Sequence, residues 1–171
     1  MPLVEPAAPD PSWPRYSTRP FPPYRFVPSL NPHPRRNPQG YAYGIPETPP
    51  PSVPPERWTE NAVYLYGIDL YNFAYWWACH EELEGLWHLT GHQGREAQFL
   101  QGIIQVAAAN LKRHVKEPEG ARRLGGEAIR RLASVGEAVF MGLRLGPFIR
   151  AVQDYHVDED TSAVPLIRLE Q

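Results

Sequence analysis

Eighteen of the 21 prolines in this 171-residue chain fall within its first 55 residues. Proline inside a helix removes a hydrogen bond and clashes with the preceding turn, at about 3 kcal/mol per residue. Each residue before a proline is also pushed out of the helical region. The first third is therefore predicted as an extended, polyproline-like arm over residues 1–57. Residues 58–171 contain only Pro118, Pro147 and Pro165. They are numerous enough to bury a modest core of their own and are predicted as one folded domain.

The arm is unusual in being aromatic. Trp13, Tyr16, Phe21, Tyr24, Phe26, Tyr41 and Tyr43 all lie in it, whereas disordered linkers are poor in such side chains. Residues 20–46 are expected to form a strap on a surface, either the chain's own or a partner's. Residues 1–12 are expected to be disordered and 47–55 to be a plain spacer. His33 sits in the stiff run Asn31-Pro32-His33-Pro34-Arg35-Arg36, and the strap is expected to carry it toward the second helix of the domain.

From Thr59 the apolar spacing changes. Val63, Tyr66, Leu70, Phe73 and Trp77 recur at steps of three and four, which defines one helical face. Thr59-Glu60-Asn61 offers an N-cap with an acidic first turn. Helices are predicted at 59–75, 75–89, 95–115, 119–135 and 147–155, with a turn at Thr90-Gly91-His92-Gln93-Gly94. The Gly125-Gly126 pair weakens the fourth helix unless a close helix contact needs it. Pro165-Leu166-Ile167-Arg168-Leu169 reads as an extended apolar tail that docks. No strand of usable length is visible. The expected class is all-α: a four- to five-helix bundle with a proline-rich N-terminal arm and a short extended C-terminal tail.

Charge removes some functions. The first 57 residues hold six basic and four acidic side chains, and the rest hold 11 and 15. Neither part has the basic excess that nucleic-acid binding requires. No apolar run approaches the length of a membrane span. Neither nucleic acid nor membrane is expected as a partner. The N-terminal residues lack the blocks of a secretory signal, and the lone Cys79 leaves no intramolecular disulfide to form. A soluble cytoplasmic protein is expected.

The densest group of reactive side chains is Cys79-His80-Glu81-Glu82-Leu83-Glu84-Gly85-Leu86-Trp87-His88. At about 100° per residue, His80 falls beside Trp76, Leu83 and Trp87, and Glu84 lies one turn above it within hydrogen-bonding reach. Glu81 and His88 flank that edge, and Glu82 points outward. A histidine and a carboxylate at the border of an apolar face suit either a divalent metal or an acid–base site. The spacing is neither His-Glu-x-x-His nor Glu-x-x-His. His88 and His92 are spaced for chelation, but Gly91 is expected to end the helix between them. On the third helix, Gln101 and Gln105 are one turn apart and could complete a polar pocket with His80 and Glu84. Gly102 between them would let another helix approach closely. Candidate pocket residues are thus His80, Glu81, Glu84, Trp87, Gln101 and Gln105. Candidate metal ligands are His80 and Glu84, with His33 a more distant third.

Tyr66-Gly67-Ile68-Asp69-Leu70-Tyr71-Asn72, then His80-Glu81-x-Leu83-Glu84-x-x-Trp87, then Phe99-Leu100-Gln101-Gly102-Ile103-Ile104-Gln105, then Gly120-Ala121-x-x-Leu124 follow in order. Over about residues 62–155 this resembles the domain of unknown function family DUF309. The resemblance implies a small all-α bundle with His80, Glu81, Glu84, Trp87, Gly102 and Gln105 as signature positions, and it implies no activity. The sequence departs from that pattern at Cys79, Gly85 and His88, where alanine, glutamate and arginine are usual.

Three functions follow as expectations. The leading one is a binding module that holds a small ligand or peptide in a polar pocket on the second helix, partly covered by the arm. The second is a metal-dependent hydrolase using His80 and Glu84. The third is a structural homo-oligomer in which arms exchange between subunits.

Overall fold

The computed structural model describes residues 2–170. A short 3-10 turn, Pro55–Glu60, leads into helices α1 (Ala62–Asn72), α2 (Trp76–Leu89), α3 (Arg95–His114) and α4 (Pro118–Ser134). A two-residue hairpin follows, β1 (Val139–Phe140) and β2 (Leu143–Arg144), and then α5 (Leu145–Val152), which runs into a π-turn at Gln153–Val157. α3 is the central element, packed on α2 along one side and on α4 along the other. The fold is the expected helical bundle. The hairpin was not foreseen: two residues per strand are too few for an alternating pattern to show. Met141 and Gly142, both at positive φ, make its tight turn.

The first helix begins later than predicted, because Asn61 is its cap. The Asn61 side chain accepts a hydrogen bond from the Tyr64 amide at 3.0 Å, which satisfies one of the free amides of the first turn. The predicted helices 59–75 and 75–89 are separated by a clean break. Ala74 takes a left-handed conformation at φ 69°, and the Tyr75 amide bonds back to the Leu70 carbonyl at 2.9 Å. That is the helix-ending geometry in which glycine is usual, and an alanine gives no warning of it. α1 is buried nearly all round, including the polar Asp69 and Asn72.

Two glycines answer the question raised by their positions. A Cβ on Gly102 would lie 2.7 Å from both Cγ and Cδ2 of Leu132, so this glycine is what lets α3 and α4 approach. A Cβ on Gly125 would meet the Cβ of His156 at 2.7 Å, whereas Gly126 has nothing nearer than the Arg130 guanidinium at 3.9 Å. Gly102→Ala is expected to lower stability by about 1–3 kcal/mol through overpacking. Gly126→Ala is expected to raise it by up to about 1 kcal/mol through helix propensity. Urea unfolding midpoints of the two variants, moving in opposite directions, check this; shifts of the same sign would mean that the α3–α4 contact is not tight at Gly102.

The arm packs against the bundle, and earlier than residue 20. Asp69 of α1, fully buried, accepts from the Tyr16 amide at 2.8 Å, the Ser17 amide at 2.9 Å and Arg15 Nε at 2.7 Å. Further on, the Tyr66 hydroxyl donates to the Pro20 carbonyl, and Arg25 Nε donates to the Phe73 carbonyl. Phe21 stacks on Tyr75. Residues 2–12, expected to be disordered, also make contacts: Pro6 is buried and the Val4 carbonyl meets His114 Nε2 at 2.7 Å. The 47–55 stretch is more than a spacer, because Pro50 packs on the bare backbone of Gly85. The C-terminal tail docks as expected. Asn72 bonds both the amide and the carbonyl of Ile167 at 2.8 Å, as a neighbouring strand would. Tyr71 donates to the Pro165 carbonyl, and Leu143 bridges to Leu169. Trp13 Nε1 donates to the same Ile167 carbonyl, so arm and tail lie against each other on α1. Among the described residues no helix is long and apolar enough to cross a membrane.

Candidate functional site

α2 buries Trp76, Cys79, Leu83 and Leu86. That stripe leaves His80 at its edge, 38% exposed, rather than among the tryptophans inside. From there the i, i+4 spacing of the helix builds a polar strip. His80 Nε2 lies 2.8 Å from Glu84 Oε2, and Glu84 Oε1 lies 3.4 Å from His88 Nε2. Beyond the end of α2, His88 Nδ1 and His92 Nε2 are 2.9 Å apart. The helix ends between them as expected, yet His92 at φ 66° turns back and stacks on Trp87 at 3.9 Å. Trp87 therefore closes the far end of the strip instead of walling His80.

Glu81 completes the near end. Its Oε1 is 3.7 Å from His80 Nδ1. One ligand atom from each of His80, Glu81 and Glu84 lies within 4.8 Å of the others, and all three residues are half-buried. Burial raises the Glu81 carboxyl above its ordinary range; His80 opposes this, while Glu84 and Glu47 add to it and Arg35 opposes it. Arg35, from the arm, reaches Glu47 at 3.1 Å and Glu81 at 3.9 Å. Burial likewise pushes the nearby Tyr41 phenol up.

The arm thus frames the strip. His33 does lie against α2, with its ring centroid 5.1 Å from that of Phe26 and 5.2 Å from that of Trp77. Its Nδ1 accepts from the Arg35 and Arg36 amides at 3.2 Å, which spends that nitrogen on the arm's own turn. His33 is not part of the His80 group. Burial, and then Arg36, lower its pKa from the ordinary value. Glu82, expected to point outward, is 3.4 Å from Arg19 of the arm.

The third helix does not complete a pocket here. Gln105 is buried, but its Nε2 donates to Glu127 of α4 at 3.1 Å, because that edge of α3 faces α4. Gln101 is half-buried on the same helix and takes no part in the His80 group. Cys79 is fully buried and its thiol is pushed up by that burial, so it is no nucleophile.

Sequence reasoning missed a buried polar pair. His156 Nε2 lies 2.6 Å from Asn110 Oδ1, with both residues essentially inaccessible. The available signal was Asn110, a polar residue closing the apolar run of α3; a buried amide needs a partner. Asp69 and Asn72, polar residues inside an apolar helix, carried the same signal for the docking of arm and tail.

Residues 64–124, which include the His80–Glu84 strip and the α2–α3 packing, match the family model described as Domain of unknown function (DUF309). No curated protein matches the chain in sequence.

Proposed function

We propose that the chain is a binding module whose site is the His80–Glu81–Glu84 edge of α2, and that its ligand is a first-row divalent cation. The observation that carries this is the convergence of one imidazole nitrogen and two carboxylate oxygens within 4.8 Å on a half-buried helix edge. Imidazole and carboxylate are the donor set of zinc, manganese and iron sites, with ligand bonds of about 2.0–2.2 Å for zinc. Donors around such an ion stand roughly 3–3.5 Å apart by that bond length, so modest rotamer changes close the set. Three protein donors leave positions for water or for a second ligand group. His88 and His92 stand further along the strip and can supply further nitrogen, and Arg35 fixes Glu81 from the arm side. In this reading the arm before residue 58 is the frame of the site and the helical domain its scaffold. The lone buried Cys79 suits a cytoplasmic setting.

Calorimetric titration of the full chain with Zn²⁺ and with Mn²⁺ tests the reading. One equivalent is expected to bind at micromolar or tighter affinity, weakened at least tenfold by His80→Ala and by Glu84→Gln. Failure of both metals to bind, or binding unchanged in both variants, overturns it.

A further inference from the structure

A second site lies where the end of α3, the start of α2, the beginning of the arm and the C-terminal tail meet. They frame a half-open cleft of about 580 Å³, within the usual range of about 300–1,000 Å³ for small-molecule sites. None of His80, Glu81 and Glu84 lines it, so it stands independently of the cation reading above.

The walls are apolar. Pro6 and Pro9 of the arm, Val164 and Leu166 of the tail, and Trp76 of α2 all line it. The cationic groups sit at the end of α3, with the neutral polar side chains of Asn110, His114, Tyr155 and Ser162 also in the lining. Arg113 and Lys116 line the cleft, and no carboxylate side chain does among the described residues. Arg113 gives Nη1 to Glu159 at 3.0 Å and lies over the Tyr155 ring, which holds the guanidinium in place while leaving other N–H donors. Lys116 occupies the left-handed position after α3, at φ 66°, with the Glu117 amide closing the helix onto the Lys112 carbonyl.

One lining group is polar and deeply buried, and it faces the protein's own groups. Asn110 is 1% exposed and lines the cleft. Its Oδ1 is taken by His156. Its Nδ2 lies beside the oxygen of Tyr71, a fully buried residue that does not line the cleft.

We infer that this cleft binds a small monocarboxylate with an apolar body, the carboxylate toward Arg113 and Lys116 and the body against the arm prolines, Trp76 and the tail. Cations alone would suit inorganic phosphate equally well, but the apolar walls are what favour a carboxylate carried on hydrocarbon.

Titration calorimetry on the full chain with decanoate, 1-naphthaleneacetate, decan-1-ol and inorganic phosphate tests this. At least one of the two carboxylates is expected to bind at one equivalent, at least tenfold more tightly than decan-1-ol or phosphate. Lys116→Gly removes the charge where glycine suits the backbone, so it is expected to fold normally and weaken that carboxylate at least fivefold. Ala163→Trp, on an exposed lining position, is expected to block the cleft and abolish binding with the melting temperature kept. The inference is overturned if neither carboxylate binds below about 1 mM, on the affinity scale of small ligands. It is also overturned if phosphate or decan-1-ol binds as well as the carboxylates, or if both variants bind them like the parent chain.

Discussion

Replacing Asp69 with alanine is expected to detach the arm from a bundle that stays folded. This carboxylate is fully buried and is the common acceptor for Arg15 Nε and the Tyr16 and Ser17 amides. Hydrogen bonds to a charged group are worth about 1.5–3 kcal/mol each. They are not additive, so a loss of about 3–5 kcal/mol is the reasonable scale, as for breaking a buried ion pair by removing one partner. The loss falls on the docking of the arm because the three donors all belong to it. The other arm contacts, such as Tyr66 with Pro20 and Arg25 with Phe73, are single, partly buried bonds. Hydrogen exchange reads the result directly. The Tyr16 and Ser17 amides should lose protection by two or more orders of magnitude in Asp69→Ala, while α3 amides keep theirs. Asp69→Asn, which retains one acceptor oxygen, should fall between. Unchanged protection at Tyr16 and Ser17 would show that the arm is held by its aromatic packing and not by this carboxylate.

Acid is expected to weaken the bundle through His156 before the Glu159 ion pairs are lost. Burial, aided by Arg113 and opposed by Glu159, lowers the His156 pKa from 6.5 to about 4. The folded state therefore holds this ring neutral, and the unfolded chain binds its proton first. Stability from this group is complete above pH 6.5. It falls as the pH drops toward 4, where the loss reaches roughly 3 kcal/mol. Asn110 supplies one partner to the ring and His156 Nδ1 has none, so protonation would add a buried cation with a second unsatisfied donor. Glu159 is held below its ordinary value by Arg122 and Arg113, and its contribution is lost only below about pH 4.5. The two windows are thus separable. Urea unfolding of the parent chain and of His156→Gln between pH 7 and 4.5 should give a falling curve for the first and a flatter one for the second. Parallel curves over that range would refute the assignment to His156.

Much of the fold could be read along the chain because its causes are local. Proline forbids helix wherever it is dense, and the three-and-four spacing of apolar residues defines helices wherever it persists. Those two rules place α3 and α4 within a residue of their ends and mark which stretches of the chain form the arm and the tail. The misses have local explanations too. Ala74 ends α1 in a conformation that glycine normally marks. The hairpin at Val139–Arg144 is too short to carry a pattern. Residues 2–12 lack periodicity and still find a surface, because the partner groups that hold them come from α2, α3 and the tail.

The candidate site divides in the same way. His80, Glu84 and His88 share one edge because an α-helix stacks residues four apart, Glu81 flanks it about 100° around, and a wheel shows both without coordinates. Which of them lie open, and whether Gln105 joins them, depends on the rotation of α3 against its neighbours. That rotation is governed by the close contact of Gly102 with Leu132, which turns Gln105 toward Glu127 instead.

The amino-acid order alone therefore determines an all-α domain with a proline-rich arm, and it determines the polar strip on α2, since both follow from periodicity and backbone chemistry within a few residues. Where the arm and tail lie, and what Asp69, Asn72, Asn110 and His156 do, was decided only by the tertiary structure. Their partners are 46 to 95 residues away for the Asn110–His156 and Asn72–Ile167 pairs. A buried polar side chain announces that it needs a partner, but only packing selects which one it gets.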